Sequence, residues 1–364
     1  MPPMRAKITV IYNMPELDTC RTEAERKASM RILSDVNSVR RALQKNGYRV
    51  SCLSLKPPLQ SALSRLETID ADVIFNLFEG FESQPDTEAV VADFLSHLGI
   101  PYTGCYGAAL RMATDKAEIK ARLRAAGINT PRYQVLTPEN LRLFALEFPC
   151  IVKPRSQHGS LGISEESVVH DFGLLEKQVN AVSERFGGEA LVEEFVEGRE
   201  FNITVLGTSP PTTLPVSEII YSLPQGMPHI LTFAAKWDPE SLYFRHTVPH
   251  CPAEVDPNLE QEIIATSLVA FEILGNRGYA RVDLRLDTQG NLKVLELNPN
   301  PDISPDSGAA LQARRAGMHY EQFIEKLVQL SLEGYDADTD NQIYEKRRQT
   351  RHTADTAQYS RIQT

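Results

Sequence analysis

The chain has 364 residues, 42% of them hydrophobic, and a formal net charge of −10. That is enough for a large core shared among two or three domains, while the acidic balance, with no basic stripe, argues against nucleic acid as the main partner. Five scattered cysteines (Cys20, Cys52, Cys105, Cys150, Cys251) with no C-x-x-C suit reduced thiols better than disulfides or zinc, and no apolar run is long enough for a signal peptide or membrane span, so a cytoplasmic protein with no membrane partner is expected.

Ile8–Tyr12 is a β-branched run and reads as an opening strand. Arg21–Asn46 carries Ala28, Ile32, Val36, Val39 and Leu43 at helical spacing and stops at Gly47. Tyr48–Leu55 reads as a strand, Ala62–Leu66 as a helix, Asp72–Leu77 as a strand and Glu88–Leu98 as a helix ending near Gly99. Strands alternating with helices predict an open, mainly parallel sheet. Its site belongs at the carboxyl edge of the strands, where Asn13–Cys20 and Phe78–Asp86 would lie.

A helical segment then leads to Thr114-Asp115-Lys116. In Pro149–Gly162, PCIVKPRSQHGSLG, Cys150–Val152 reads as a buried strand with Lys153 at its end. The following loop, with Gly159, Ser160, Leu161 and Gly162, can close backbone N–H groups around phosphate oxygens while the lysine supplies charge. Alone, such a loop is weak evidence, and it is neither a P-loop nor a Rossmann fingerprint. Leu191–Glu200, LVEEFVEGRE, reads as a strand end, an acidic turn at Glu197-Gly198, and a strand from Glu200 through Leu206. Val216–Tyr221 is a strand, followed by an irregular stretch through Lys236-Trp237 to Val248. Loops this long are commonly lids.

Asn258–Leu274 reads as an amphipathic helix before Gly278–Ser307, GYARVDLRLDTQGNLKVLELNPNPDISPDS. Arg281–Leu284 alternates polar and apolar, Asp287–Asn291 is a turn, and Leu292–Leu297 returns. Strand alternation puts Val294, Glu296 and Asn298 on one face, with Asp283 and Arg281 across the hairpin. Two carboxylates and an amide oxygen are hard ligands of the kind Mg²⁺ takes. Ala309–Gly317 and Tyr320–Leu332 are closing helices, and the polar remainder, 335–364, reads as a disordered tail.

RVD…LELN…P followed by a Ser-Gly segment resembles the C-terminal signature of ATP-grasp carboxylate–amine ligases, particularly the D-alanine–D-alanine ligase branch. GIPYTGCYGAALRMATDKAEIKARLRAAGINTP is similar to the linker of those enzymes, and the match keeps motif order from about Asp72 to about Leu332. The resemblance implies an α/β, three-domain ATP-grasp architecture: an N-terminal domain over 1–112, a central subdomain over 113–206 and a C-terminal subdomain over 207–334. It implies that ATP is held between the last two, with Lys116, Lys153, Lys236 and the loop Gly159–Gly162 on its phosphates. Glu193, Glu194 and Val196 would line the adenine, and Glu200 would accept from the ribose. Asp283, Glu296 and Asn298 would hold Mg²⁺, or Mn²⁺ in its place, and Arg281 would stabilise the oxyanion. A homodimer is expected by analogy alone.

The departures from the family lie in the substrate half. The first-domain segment Glu16–Asp35 has no E-x-E-(V/I)-S motif; Glu16, Glu23 and Glu25 are its only glutamates. Gly159 stands at the Ser position of the loop, beside Ser160. Trp237 replaces the Tyr after the lid lysine, and the H-G motif reads Glu79-Gly80. Pro301–Gly308 replaces PGMT-x-x-SL, with Ser307 kept and Gly308 in place of Leu. Such changes alter what a site accepts. The expected activity is therefore ATP-dependent joining of a small carboxylate to an amine with a rebuilt first-substrate pocket. A D-alanine–D-alanine ligase proper and a nucleotide-binding protein without catalysis are the alternatives.

Overall fold

The computed structural model describes residues 6–18, 20, 22–81, 84–157, 159–207 and 210–334. The expected tail, 335–364, lies outside the described residues.

The first sheet is built from β1 (Lys7–Asn13), β2 (Arg49–Leu55) and β3 (Val73–Leu77), parallel in the order β2-β1-β3. Strands covered on both faces read as continuous apolar runs, and Val73–Leu77 is buried throughout. The crossover helix α1 (Glu23–Lys45) buries Ile32, Val36, Val39 and Leu43 as its periodicity predicts; Thr22 caps it by accepting from the Glu25 N–H. α2 (Leu59–Glu67) and α3 (Thr87–Leu98) cover the other face. Gly99, left-handed at φ +63°, ends α3 where a side chain would be strained.

α4 (Gly107–Thr114) and α5 (Lys116–Ala125) lead into a four-stranded antiparallel sheet in the order β4-β7-β5-β6: β4 (Tyr133–Leu136), β5 (Cys150–Pro154), β6 (Val168–Val169) and β7 (Ala190–Glu194). α6 (Phe172–Phe186) packs Leu175, Val179 and Val182 against it.

The third sheet is antiparallel, β11-β10-β8-β12-β13 with β9 on β8. It comprises β8 (Gly198–Leu206), β9 (Thr212–Thr213), β10 (Ser217–Tyr221), β11 (Thr247–His250), β12 (Tyr279–Asp287) and β13 (Leu292–Asn298). α9 (Pro257–Ile273) covers its apolar face, where Phe201, Ile203, Val282 and Leu284 meet Ile263 and Phe271. α10 (Gly308–Arg315) and α11 (Tyr320–Glu333) return to the first sheet, where Phe323 and Leu327 join Ile8, Val36 and Phe75 in one core.

Three sequence expectations need correction. The stretch after Tyr221 is not wholly irregular: it holds α7 (Phe233–Trp237) and α8 (Leu242–His246), too short for periodicity to reveal. Each is capped by a hydroxyl, from Thr232 and Ser241. Second, β8 begins at Gly198, not at Glu200. A Cβ there would lie 1.9 Å from the Leu286 carbonyl oxygen, so only glycine lets β8 approach β12 this closely. Third, Val294 does not share a face with Glu296 and Asn298. The β12–β13 register pairs Asp283 with Glu296 but Leu284 with Val294, so Leu295 is bulged out. Val294 is thereby turned into the core beside Leu292 and Leu297. Burying a valine is worth roughly 1.5–3 kcal/mol, and burying an unpaired carboxylate costs more, so the bulge satisfies both residues where a regular strand could satisfy one.

Candidate active site

The bulge sets the centre of the site. Past it, Glu296 lies opposite Asp283 and Asn298 opposite Arg281, all four on the face away from the core. Arg281 grips Asp283 with two bonds, Nε to Oδ1 at 2.7 Å and Nη2 to Oδ2 at 2.9 Å. Glu296 faces Lys116 at 3.5 Å. Asn298 Oδ1 accepts the Asn300 N–H at 3.0 Å, which fixes the oxygen end of the amide and leaves a lone pair. Among the described residues no three His, Cys, Asp or Glu side chains are placed to hold a metal ion, so a cation site here needs the Asn298 amide as its third donor. Two carboxylates and an amide fit a hard divalent cation, and the guanidinium and ammonium now paired with them are the groups such a cation would displace or share them with. Lys236, at the end of α7, closes over this centre: burial and Arg281 push its pKa down, against the pull of Asp283, Glu296 and Asp302.

A second set approaches from the central sheet. Asp115 caps α5 by accepting the Ala117 and Glu118 N–H groups and is clamped by Arg155, Nε to Oδ1 at 2.8 Å. That clamp fixes Lys116, whose ammonium also donates to the Gln157 carbonyl in the Gly-containing loop. In the loop Gly159 and Ser160 are both left-handed, at φ +67° and +63°, and Gly162 leaves no room for a Cβ against Phe186 and Pro154. Lys153 donates to Glu193 at 3.0 Å, and Glu193 also faces Lys120 at 3.2 Å. Lys120 and Glu193 are each 1% exposed. Burial drives the Lys120 ammonium down to about 8; burial alone would raise Glu193, but Lys120 and Lys153 hold it below the usual carboxylate range. Sequence reasoning missed Lys120, since one more charge on a charged helix carries no signal of burial, and Arg155, whose partner Asp115 lies 40 positions away.

The hinge after β7 separates two kinds of residue. Glu194 is held by Lys293 at 2.8 Å and Arg132 at 3.1 Å. Phe195 lies instead at an apolar slot with Ile151, Ile163, Ile230 and Tyr243, between the central sheet and the α7–α8 segment, and Val196, next in the chain, is buried. Glu200 is buried at the slot's end, where Oε2 accepts from Tyr221 at 2.7 Å and pairs with Arg285. Arg285 also holds the Val196 and His229 carbonyls, tying the hinge to the third sheet.

The remaining wall comes from the first sheet and the segment after β13. Glu79 follows β3 and opens on the cleft, its N–H directed at Asn13 Oδ1 at 3.4 Å. Its side chain is solvent-exposed in the cleft, and the surrounding walls, with Glu88, Asp302 and Asp35 nearby, push its carboxyl up from the usual carboxylate range. Trp237 lies under the guanidinium of Arg31 from α1, 5.6 Å from the ring centre. Arg31 also donates to Asp306 at 2.5 Å and Ser304 at 2.9 Å. Ser307 is buried as the cap of α10, accepting the Ala310 N–H, and Gly308 is that helix's first residue. Of the three candidate glutamates, Glu25 pairs with Arg185 on α6 and Glu23 sits in the first turn of α1. The α1 residues brought to this wall are Arg31 and Asp35, which sequence reasoning missed. Their i,i+4 spacing beside the apolar stripe was the available signal.

The family model described as "D-ala D-ala ligase C-terminus" matches residues 123–329. A D-alanine–D-alanine ligase from Cupriavidus necator is 30% identical over 310 residues, 84% of this chain and 88% of that one. The chain belongs to the D-alanine–D-alanine ligase family. Members are ATP-grasp enzymes, ATP-dependent ligases that form ADP and phosphate. An uncharacterized protein of Sinorhizobium fredii is 31% identical over 304 residues, 82% of this chain and 88% of its own length. The fold agrees: the Bacillus anthracis D-alanine–D-alanine ligase complexed with ATP superposes with a TM-score of 0.69 at 22% identity, covering 92% of this chain and 100% of that one. A D-Ala:D-Ser ligase from Enterococcus faecalis gives 0.68 at 20% identity, covering 89% and 99%. No described helix is long and apolar enough to cross a membrane.

Proposed function

We propose that this family member is an ATP- and Mg²⁺-dependent ligase that joins a carboxylic acid other than D-alanine to an amine through an acyl phosphate. The observation that carries the reading is a contrast across one cleft. On the hairpin side, Arg281, Asp283, Glu296 and Asn298 share a face with Lys116 and Lys236 over them. On the opposite side stand Glu79, Arg31, Asp35 and Trp237, a charged wall unsuited to a methyl side chain.

In this reading the chain divides at about 112 and 206, and the nucleotide lies between the second and third parts. The adenine enters the slot at Val196 and Phe195, with Glu194 above it and Glu193 anchoring Lys153. Glu200, oriented by Arg285, takes the ribose. Lys116, Lys153, Lys236 and the loop of Gly159, Ser160, Leu161 and Gly162 hold the phosphates. Mg²⁺ on Asp283, Glu296 and Asn298, or Mn²⁺ in its place, would neutralise charge on the phosphate oxygens.

A substrate carboxylate oxygen attacks the γ-phosphorus, and the bond to the β-phosphate oxygen breaks with its electron pair leaving on ADP. The amine nitrogen then adds to the acyl carbon, giving a tetrahedral oxyanion beside Arg281. The C–O bond breaks, phosphate leaves, and the surplus amine proton passes to solvent. A single oxyanion donor is worth roughly 3–4 kcal/mol in comparable sites. Closure of α7, which carries Lys236 and Trp237, keeps water from the acyl phosphate. Ser307 and Gly308 lie at the entrance of α10, on the amine's side.

The test is phosphate release from Mg·ATP over a panel of D- and L-amino acids, dipeptides and small carboxylates, with Glu296→Gln as the blank. Turnover with a pair other than D-alanine, lost in the blank, supports the proposal. Turnover with D-alanine alone would make the chain a D-alanine–D-alanine ligase proper, as its Cupriavidus necator relative is named. Mg·ATP binding without turnover on any pair would favour a nucleotide-binding protein without catalysis.

A further inference from the structure

The wall facing the hairpin has one guanidinium for four carboxylates. Arg31 bonds Asp306 at 2.5 Å and lies 3.9 Å from Asp302 and 3.8 Å from Asp35. Glu79, the fourth, meets only like charges in its surroundings: Glu88, Asp302 and Asp35. Burial and the charge of Asp302 push Asp35 up to about 7, even with Arg31 beside it. Glu88, just behind, is quietened by the Asn300 amide at 2.6 Å. Ionised together, these carboxylates would exceed the positive charge at the wall, so the ligand-free protein favours protons on Glu79 and Asp35 that a bound cation would displace.

A separate observation points to a ligand. Tyr279 is 1% exposed, yet its hydroxyl has no hydrogen-bond partner among the described residues. The ionisable groups that act on it are Cys105 first, then Glu79, Tyr320 and Glu88. The Tyr320 hydroxyl is likewise without a partner among the described residues, and Asp35, Asp302, Asp306 and Glu321 are the carboxylates that act on it. Buried hydroxyls in native proteins find partners. Two hydroxyls with open hydrogen-bonding capacity near these carboxylates can accept N–H donors from a bound cation.

Asp302 joins this wall to the reaction centre. It acts on Glu79 and Asp35 on one side and on Lys236 and Arg281 on the other. A ligand that spans it would place a carboxylate at Arg281 and Lys236 and a cation among Glu79, Asp35 and the two tyrosines.

We propose that the acyl donor is a basic amino acid, lysine-, ornithine- or arginine-like, whose side-chain cation is bound by Glu79 and Asp35 while Asp302 takes its α-ammonium. This rests on the ligase reading for the role of the carboxylate, but the binding site itself does not. An ammonium offers three donors and a guanidinium five, enough to satisfy carboxylates and hydroxyls together.

The test is calorimetric titration of L- and D-lysine, ornithine and arginine, with the uncharged analogue norleucine, into the full chain saturated with Mg·ADP, alongside ADP formation with a panel of amines. At least one basic amino acid is expected to bind about tenfold or more tighter than norleucine. Glu79→Gln should remove that preference while Mg·ATP binding persists. Asp35→Asn serves as the second variant if Glu79→Gln disturbs folding. Equal affinity for norleucine, or basic-ligand binding untouched by both variants, overturns the proposal. Charge-dependent binding with no ADP formed from any pair would keep the cation pocket and sink the ligase reading. ADP formed only with neutral acids would keep the ligase and sink the pocket.

Discussion

Glu296 faces Asp283 directly across the β12–β13 hairpin only because Leu295 is bulged out one residue earlier. The same bulge sends Val294 into the core. The site's two carboxylates and the packing beneath them are thus set by one irregularity, a common use of bulges near functional sites.

Glu296→Gln keeps the shape of the side chain and removes its charge. Phosphate release should fall by roughly 100-fold or more, the several-kcal/mol scale of charge stabilisation at a metal-assisted centre. Mn²⁺ binding in the presence of nucleotide, followed by paramagnetic resonance, should weaken in parallel, and the thermal midpoint should move little because Glu296 is part-exposed. A variant that binds Mn²⁺ and turns over normally would remove Glu296 from the metal site.

Much of this site was legible beforehand, and what was missed has physical reasons. Lys116, Lys153 and Lys236 come from three distant segments and all reach the cleft, as motif order implied. The pairing of Arg281 and Asp283 with Asn298 and Glu296 followed from strand alternation and a turn. The bulge did not, because Leu295 is one more apolar residue in an apolar strand. Lys120 looked like its solvated neighbours until Glu193, 73 positions on, buried it. Arg31 and Asp35 acquired meaning only beside Asp302 and Asp306, which no local pattern connects to α1. Local periodicity reports on faces, and long-range charge pairing leaves no trace in it.

Trp237 is the chain's single tryptophan and lies under Arg31, so its emission reports on the contact between α1 and α7. Mg·ATP binding should change that emission as Lys236 engages the phosphates. Arg31→Ala should shift the ligand-free spectrum; the lost cation–π contact is worth about 0.5–1 kcal/mol. A fluorescence titration that stays flat at saturating nucleotide would mean that α7 does not respond to ATP.

Lys120→Met should be destabilising although it leaves Lys153 on Glu193. Removing one partner of a buried ion pair costs roughly 3–5 kcal/mol, and the remaining lysine places the expectation at the low end, about 3 kcal/mol. The Lys120 bonds to Thr130 (3.0 Å) and the Leu295 carbonyl (3.2 Å) would go too, loosening the bulge. Urea unfolding of wild type and variant checks this; equal midpoints would mean that Lys153 alone satisfies Glu193.

The acidic wall predicts an unusual pH dependence for the ligand-free chain. Burial lifts Glu88 to about 7 against the pull of its Asn300 bond, and with Asp302 lifts Asp35 to about 7. A carboxyl raised in the folded state favours its protonated form there, so its contribution is complete below the unfolded value near 4 and is lost as pH climbs through the folded value. Glu193, Glu194 and Asp306 are held low, and their contributions are lost only on acidification below that range. Between about pH 5 and pH 8 the wall should therefore dominate, and stability should fall. Glu88→Gln can still accept the Asn300 N–H but cannot ionise, so its thermal midpoint should fall less over that interval than the wild type's. Parallel midpoint curves for the two proteins would mean that Glu88 is ionised throughout and that its surroundings tolerate the charge.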